Sequence, residues 1–173
     1  MTTKLYLCMS VDGLIATTNR VAEEDSEWSD SAFAGWCGYC TAANNVIVGR
    51  KTYEELVEMD VSDLLYPGHR IVVSTQNLDP ADEWLQFPTP GQAVEYLQSR
   101  GLQDVIVGGG HDIGLACIKA GLIDEIVLDV QPILFGHGTP LLGESERSLE
   151  LDLIGSQGLD QGAIRLHYRI RGR

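Results

Sequence analysis

Three short runs constrain this chain most: Val46-Ile47-Val48, Ile71-Val72-Val73 and Val105-Ile106-Val107, each apolar and β-branched throughout. A strand that is apolar at successive positions, rather than at alternate ones, must be covered on both faces, as strands are inside a helix-flanked sheet. Each run leads straight into small or polar residues: Gly49-Arg50-Lys51-Thr52, Ser74-Thr75 and Gly108-Gly109-Gly110. In open α/β sheets, ligands bind outside the carboxyl ends of the strands. Helix N-termini at those ends expose unpaired N–H groups and positive dipole ends, and glycine lets a pyrophosphate approach the backbone. Three such ends together suit a dinucleotide. Neither common phosphate motif fits, however. The first segment lacks the upstream glycine and residue order of a P-loop, and Gly108 to Ile113 lacks the last glycine of a Rossmann fingerprint.

The remaining elements read in order along the chain. Lys4 to Met9 is a strand that ends in the turn Ser10-Val11-Asp12-Gly13, ahead of the apolar triplet Leu14-Ile15-Ala16 and a polar, acidic loop from Thr17 to Glu27. Ser29 or Asp30 caps a helix reaching Ala43, with Phe33, Trp36, Cys37 and Cys40 at helical spacing. A second helix starts after Gly49, and Tyr66-Pro67-Gly68 marks a turn. Trp84 to Phe87 is a weaker strand. Thr89-Pro90-Gly91-Gln92 has capping-box spacing with Pro at the first helical position, and Gly101 closes that helix. The helix after the triple glycine closes at Gly121, and Ile126 to Val130 is another strand. From Leu149 the pattern turns hairpin-like, with a turn at Asp160-Gln161-Gly162 and Ile164, Leu166, Tyr168 and Ile170 alternating with Arg165, His167, Arg169 and Arg171. The whole predicts one α/β domain over residues 1–173: a central mixed sheet, helices on both faces and a C-terminal antiparallel hairpin.

Charge narrows the partners. The formal net charge is −13, and the twelve Lys and Arg residues are scattered apart from Arg50-Lys51 and a C-terminal group. General affinity for nucleic acid or an anionic membrane is not expected. A site for a phosphorylated ligand must then be built locally, which makes Arg50-Lys51 informative. No run approaches membrane-spanning length, and the start of the chain has no long apolar segment of the secretory kind. Four cysteines in 173 residues do not make a small disulfide framework. A cytoplasmic protein with reduced thiols is expected.

The segments 46–54, 71–76 and 105–110 resemble, in order and spacing, the three cofactor segments of dihydrofolate reductases, and residues 10–16 resemble that family's first strand and active-site loop. Gly121-Leu122-Ile123-Asp124-Glu125, Pro132-Ile133-Leu134-Phe135-Gly136 and Ser26-Glu27-Trp28 look closer to one branch, the C-terminal reductase domain of riboflavin-biosynthesis deaminase–reductases. The resemblance implies a dihydrofolate-reductase-like three-layer fold and an NADPH-dependent reductase acting on a small heterocyclic molecule, with a homodimer as an open option. It implies that Arg50, Ser74 and Thr75 hold the adenosine 2′-phosphate, that Lys51 and Thr52 meet the pyrophosphate, and that Gly49, Gly108, Gly109 and Gly110 let the cofactor approach. The nicotinamide would stand near Cys8, Ser10, Asp12 and Ile15, with Trp28 and Phe33 closing an apolar pocket over a planar substrate.

Two departures matter. Folate reductases carry a substrate-binding carboxylate on the first helix, and Phe33 stands at that position, so a proton would come from Asp12, Asp30 or water. The riboflavin branch gathers basic groups near the Ser-x-Trp segment, whereas residues 29–45 contain no Lys or Arg. Dihydrofolate reductase proper and a nucleotide-binding module without turnover therefore stay as alternatives. No metal is expected, because no second close ligand pair accompanies the cysteines. A third alternative comes from Trp36-Cys37-Gly38-Tyr39-Cys40, which mimics a thioredoxin-type dithiol but has Tyr where Pro is usual and sits inside a helix rather than at its start. Alkylation of Cys37 should accordingly be slow at neutral pH. Rapid labelling together with disulfide-reductase activity would promote the dithiol enzyme instead.

Overall fold

The computed structural model describes residues 1–17, 30–59, 68–80, 83–141, 143 and 148–172. Ser26, Glu27, Trp28, Ser29, Tyr66 and Pro67, which the sequence reading singles out, lie outside the described residues. The elements run β1 (Thr2–Ser10), β2 (Leu14–Thr17), α1 (Asp30–Ala43), β3 (Asn45–Gly49), α2 (Arg50–Glu58), β4 (His69–Val73), β5 (Trp84–Phe87), α3 (Pro90–Ser99), β6 (Asp104–Gly108), α4 (His111–Lys119), β7 (Glu125–Gln131), β8 (Gly138–Pro140), β9 (Leu151–Gly158) and β10 (Ile164–Ile170). Eight strands form one sheet in the order β5-β4-β3-β6-β1-β7-β10-β9, and β2 pairs with β8 in a small second sheet. The six strands from β5 to β7 are parallel, and β10 runs antiparallel to both β7 and β9.

The doubly apolar runs behave as expected, since each feeds two cores. Leu5, Leu7, Ile47, Ile71, Val105 and Val107 pack under α3 and α4 with Leu97, Ile113 and Cys117. Their neighbours Tyr6, Val46, Val48, Val72 and Ile106 face the other way, onto Cys40 of α1 and Tyr53 and Leu56 of α2. Helix ends follow the local chemistry. Thr89 accepts from the Gln92 N–H at 3.3 Å with Pro90 behind it, and Gly101 and Gly121 take the positive φ that ends α3 and α4.

The C-terminal hairpin departs from a simple apolar-in, cation-out pattern. Ile164 is 48% exposed, whereas the Arg165 side chain is only 13% exposed. The reason is α1, which covers the face of the sheet that Arg165 points to. Arg165 Nε and Nη2 donate to Asp129 Oδ1 and Oδ2 at 2.8 and 2.7 Å, and Nη2 also donates to the Tyr6 hydroxyl at 2.6 Å. Tyr6 in turn donates to Asp129 Oδ2 at 2.5 Å and lies 3.1 Å from the Ala32 carbonyl of α1. The helix passes so close that a Cβ on Gly35 would collide with the Arg165 guanidinium.

Two glycines of α1 should therefore respond in opposite directions to alanine. Gly35→Ala forces the guanidinium off Asp129 and should destabilise by about 1–3 kcal/mol. Gly38, whose Cβ would meet open space, should gain up to about 1 kcal/mol as alanine from helix propensity alone. Urea unfolding of both variants checks the pair; equal effects would show that Arg165 does not bear on α1.

Candidate functional site

The parallel registers align the carboxyl ends of β4, β3 and β6, for Gly49 stands opposite Val73 and Val48 opposite Gly108. β1 pairs with β6 only as far as Tyr6–Gly108, yet it runs on to Ser10 along β7. The end of β1 thus forms a wall beyond the floor made by Gly49, Gly108 and Gly109. The sequence-derived cofactor segments meet on that floor.

Two helices start there, and both start on glycine. The N-caps of α2 and α4 are Gly49 and Gly110, and neither helix has a side-chain cap bond. Gly109 has φ 121°, a conformation open to glycine, and a Cβ on it would come within 2.8 Å of Thr52 Oγ1. The bare backbone of the β6–α4 turn consequently lies against the first turn of α2. That first turn carries Arg50 and Lys51 and no acidic residue. Helix N-termini favour anions, so two cations there work against the helix dipole unless an anion joins them. Arg50 makes an exposed ion pair with Glu54 at 2.7 Å, an interaction weak enough in water for a phosphate to displace. Lys51 and Thr75 are exposed and Thr52 is half-buried. The Ser74 hydroxyl is engaged by its own turn, accepting from the Gln76 N–H at 3.0 Å. Bare N–H groups, hydroxyls and cations in this order fit a pyrophosphate with an additional phosphate.

On the α1 side, Cys8 and Trp36 pack against the same core cluster, and the Phe33 ring lies 6.1 Å from that of Trp36 while 39% exposed. Cys8 stands opposite Asp129, and burial, with that carboxylate second, pushes its thiol up to about 12. Ser10 is buried, its hydroxyl accepting from the Leu14 N–H at 3.0 Å and bracing the turn into β2. Ile15 is half-buried. Asp30 is exposed at the first position of α1. Trp28 falls outside the described residues.

Asp12 is held by backbone. Its carboxylate accepts from the N–H groups of Gly136 and Phe135 at 2.7 and 3.2 Å, tying the turn after β1 to the loop after β7. The Ser10 hydroxyl, the Gly136 N–H and the Phe135 N–H favour the charged form and hold the carboxyl down at about 2. At neutral pH Asp12 is therefore an anion that staples two loops.

The sequence reading missed the network of Tyr6, Asp129 and Arg165 beneath α1. The available signal was Asp129 itself, an acid inside the apolar run Ile126–Val130, which demands a buried partner. Tyr39 of α1 completes the enclosure, with the Arg165 guanidinium 5.6 Å from its ring centre and 5.5 Å from that of Tyr6. Burial raises the thiols of Cys37 and Cys40, and both lie well inside α1, away from a helix N-terminus that would activate them. Among the described residues, no group of three or more His, Cys, Asp or Glu side chains could hold a metal ion.

The Asp12 staple sets a pH window. Its folded pKa lies below the ordinary carboxylate value of about 4, so its contribution is complete above that value and is lost as pH falls through about 2. A carboxyl NMR titration should give a midpoint near the lower value, and Asp12→Asn should remove the acid-side loss. A midpoint near 4 would show that the two N–H contacts do not persist in solution.

Comparison with known proteins agrees with this geometry. The sequence pattern of the RibD C-terminal domain matches residues 4–164. The "Uncharacterized protein YwjB" of Bacillus subtilis (strain 168) is 29% identical over 170 residues, covering 96% of each chain. The structure of a putative riboflavin biosynthesis protein from Shewanella sp. PV-4 superposes with a TM-score of 0.73 at 23% identity, covering 99% of both chains. Acinetobacter baumannii RibD gives a TM-score of 0.78 at 16% identity over 98% of this chain and 58% of that one. The glycine-floored strand ends, the mixed eight-stranded sheet and a family match across nearly the whole length agree: this chain belongs to the RibD C-terminal domain family, a reductase domain on the dihydrofolate-reductase-like fold.

Proposed function

We propose that this chain is an NADPH-dependent reductase of a small, flat heterocycle, resembling the 5-amino-6-(5-phosphoribosylamino)uracil reductase of riboflavin biosynthesis. The observation that carries the reading is the start of α2, where Arg50 and Lys51 crowd the positive end of a glycine-capped helix beside the bare Gly109 backbone. A protein with a net charge of −13 has little reason to concentrate cations at a helix N-terminus unless a polyanion belongs there. When bound, NADPH supplies the hydride. Arg50 and Thr75 would hold the 2′-phosphate, Lys51 and Thr52 the pyrophosphate, and Gly49, Gly109 and Gly110 the close backbone approach.

The residues around the reacting atoms suit exclusion of water more than acid catalysis. Cys8, Ile15, Phe33 and Trp36 would offer an apolar wall, and Cys8 stays a neutral thiol because its burial and its carboxylate neighbour both oppose ionisation. Asp12, held as an anion by backbone N–H groups, is a poor proton donor. The proton needed at the substrate then comes from Asp30 or water reaching the open end of α1. Residues 29–45 contain no cation to meet a phosphate on the substrate, which favours a ligand whose recognition rests on its ring.

An NADPH-oxidation screen offering dihydrofolate, the phosphoribosylamino-pyrimidine of riboflavin synthesis, simpler pterins and quinones tests the reading. Turnover of dihydrofolate at ordinary enzymatic rates would contradict the reading of Phe33, and tight NADPH binding with no turnover of any candidate would favour a binding module. Arg50→Ala should weaken NADPH about tenfold or more, the scale of one charge-assisted hydrogen bond to phosphate, and leave NADH unchanged. Equal losses for both cofactors would show that Arg50 does not read the 2′-phosphate.

A further inference from the structure

Trp36 carries a donor that no other described residue engages. Its indole Nε1 is buried and has no hydrogen-bond partner among the described residues. Buried N–H groups in folded proteins are nearly always paired, so an orphan at a strand end of an open α/β sheet, where ligands bind, points to an acceptor that the ligand brings.

The surroundings say which ligand. Gly108 is the last residue of β6, and a Cβ on it would stand 2.5 Å from Trp36 Nε1 and 2.9 Å from Trp36 Cε2. The indole therefore fills the room that any other residue at position 108 would occupy, with its nitrogen against the strand end. Gly109, the next residue, faces away from α1 toward Thr52 and Ile113, where the phosphate-binding turns meet. The chain thus divides the strand end at one peptide: the Gly109 side faces Thr52 and Ile113 of the cofactor segments, and the Gly108 side faces Trp36 of α1. Trp84 supplies the contrast. Its Nε1 is also buried with no partner among the described residues, but it begins β5 at the amino end of the sheet, edge-on to Tyr53 at 5.0 Å inside the core.

We propose that Trp36 is a specificity-determining substrate residue, its Nε1–H donating to a carbonyl oxygen or pyridine-type ring nitrogen on the flat substrate. The inference rests on the reductase reading above, which identifies the cleft. Discrimination follows from the orphan: a ring that brings an acceptor satisfies the donor, and a ring of equal size without one leaves it buried and unpaired. Phe33 and the apolar wall then select flatness, and Trp36 selects the acceptor edge.

Proton–nitrogen NMR of the full chain with ¹⁵N-labelled tryptophan tests this directly, the three indole signals being assigned from W28F, W36F and W84F. With the protein saturated by NADP⁺, millimolar 5,6-diaminouracil or 6-methylpterin should move the Trp36 indole N–H downfield and leave that of Trp84 in place. W36F keeps a ring against Gly108 and should weaken the probe that shifts the signal about fivefold, the size of one neutral hydrogen bond, with NADP⁺ affinity within twofold of the parent. A Trp36 signal unmoved by both probes overturns the proposal. So does a downfield move on adding NADP⁺ alone that 2′,5′-ADP does not reproduce, since the donor then serves the nicotinamide. Failure of the reductase reading looks different: the Lys51 and Gly109 backbone amides would stay in place on adding NADP⁺, and the proposal would fall with it.

Discussion

The buried pair of Asp129 and Arg165 is the interaction on which the site's architecture depends. Asp129 is fully buried, and a carboxylate there is tolerable only because Arg165 meets it with two parallel hydrogen bonds and Tyr6 takes a third position on it. Such a pair adds little net stability over a well-packed apolar alternative, but removing one partner costs several kcal/mol because a lone charge is left inside. Its effect is therefore on arrangement more than on stability. It binds β10 to β7 and β1 on the face covered by α1, and through the Ala32 carbonyl and the bare Cα of Gly35 it sets the height and rotation of that helix. Trp36 reaches Gly108 at the end of β6 because α1 lies at that height.

A second constraint acts across the sheet. Parallel strands put the ends of β4, β3 and β6 in one row, where Gly49 and Gly109 leave the backbone bare while the Trp36 indole takes the place of a Cβ on Gly108. The helix dipoles of α2 and α4 then point their positive ends at the same place. Glycine caps make weaker helix starts than Ser or Asp, so the fold accepts less stable helices to leave backbone N–H groups free. The cations at the start of α2 lower helix stability in the same way, since they stand at the positive end of its dipole.

How much of this was legible follows from which residues act locally. The doubly apolar triplets, Thr89-Pro90 and the closing glycines announce elements through short-range chemistry, and the central sheet followed from them. The turns at the strand ends were legible for the same reason, because glycine, cation and hydroxyl lie within a few residues of a buried strand. The Asp129–Arg165–Tyr6 network was not, since its members lie 123 and 36 residues apart and nothing along the chain tells an arginine pointing under α1 from one pointing to water. Alternation placed Arg165 on the face opposite Ile164 correctly, but it cannot say which face a helix will cover. Asp12 was legible as a turn residue, and its partners at Phe135 and Gly136 were hidden by the same separation.

The charge distribution acts on the same strand ends. A net charge of −13 opposes the approach of a tri- or tetra-anionic cofactor, but that field is screened over about 8 Å at physiological salt. Within that distance the local set counts: two helix N-termini, Arg50 and Lys51, against Glu54 paired with Arg50 and Asp112 in the first turn of α4. The global field acts on encounter and the local field on retention. An acidic chain can therefore hold a polyanion without attracting polyanions in general, and that selectivity depends on the cations sitting at a glycine-capped strand end, where only a ligand able to use the bare backbone as well gains the full interaction.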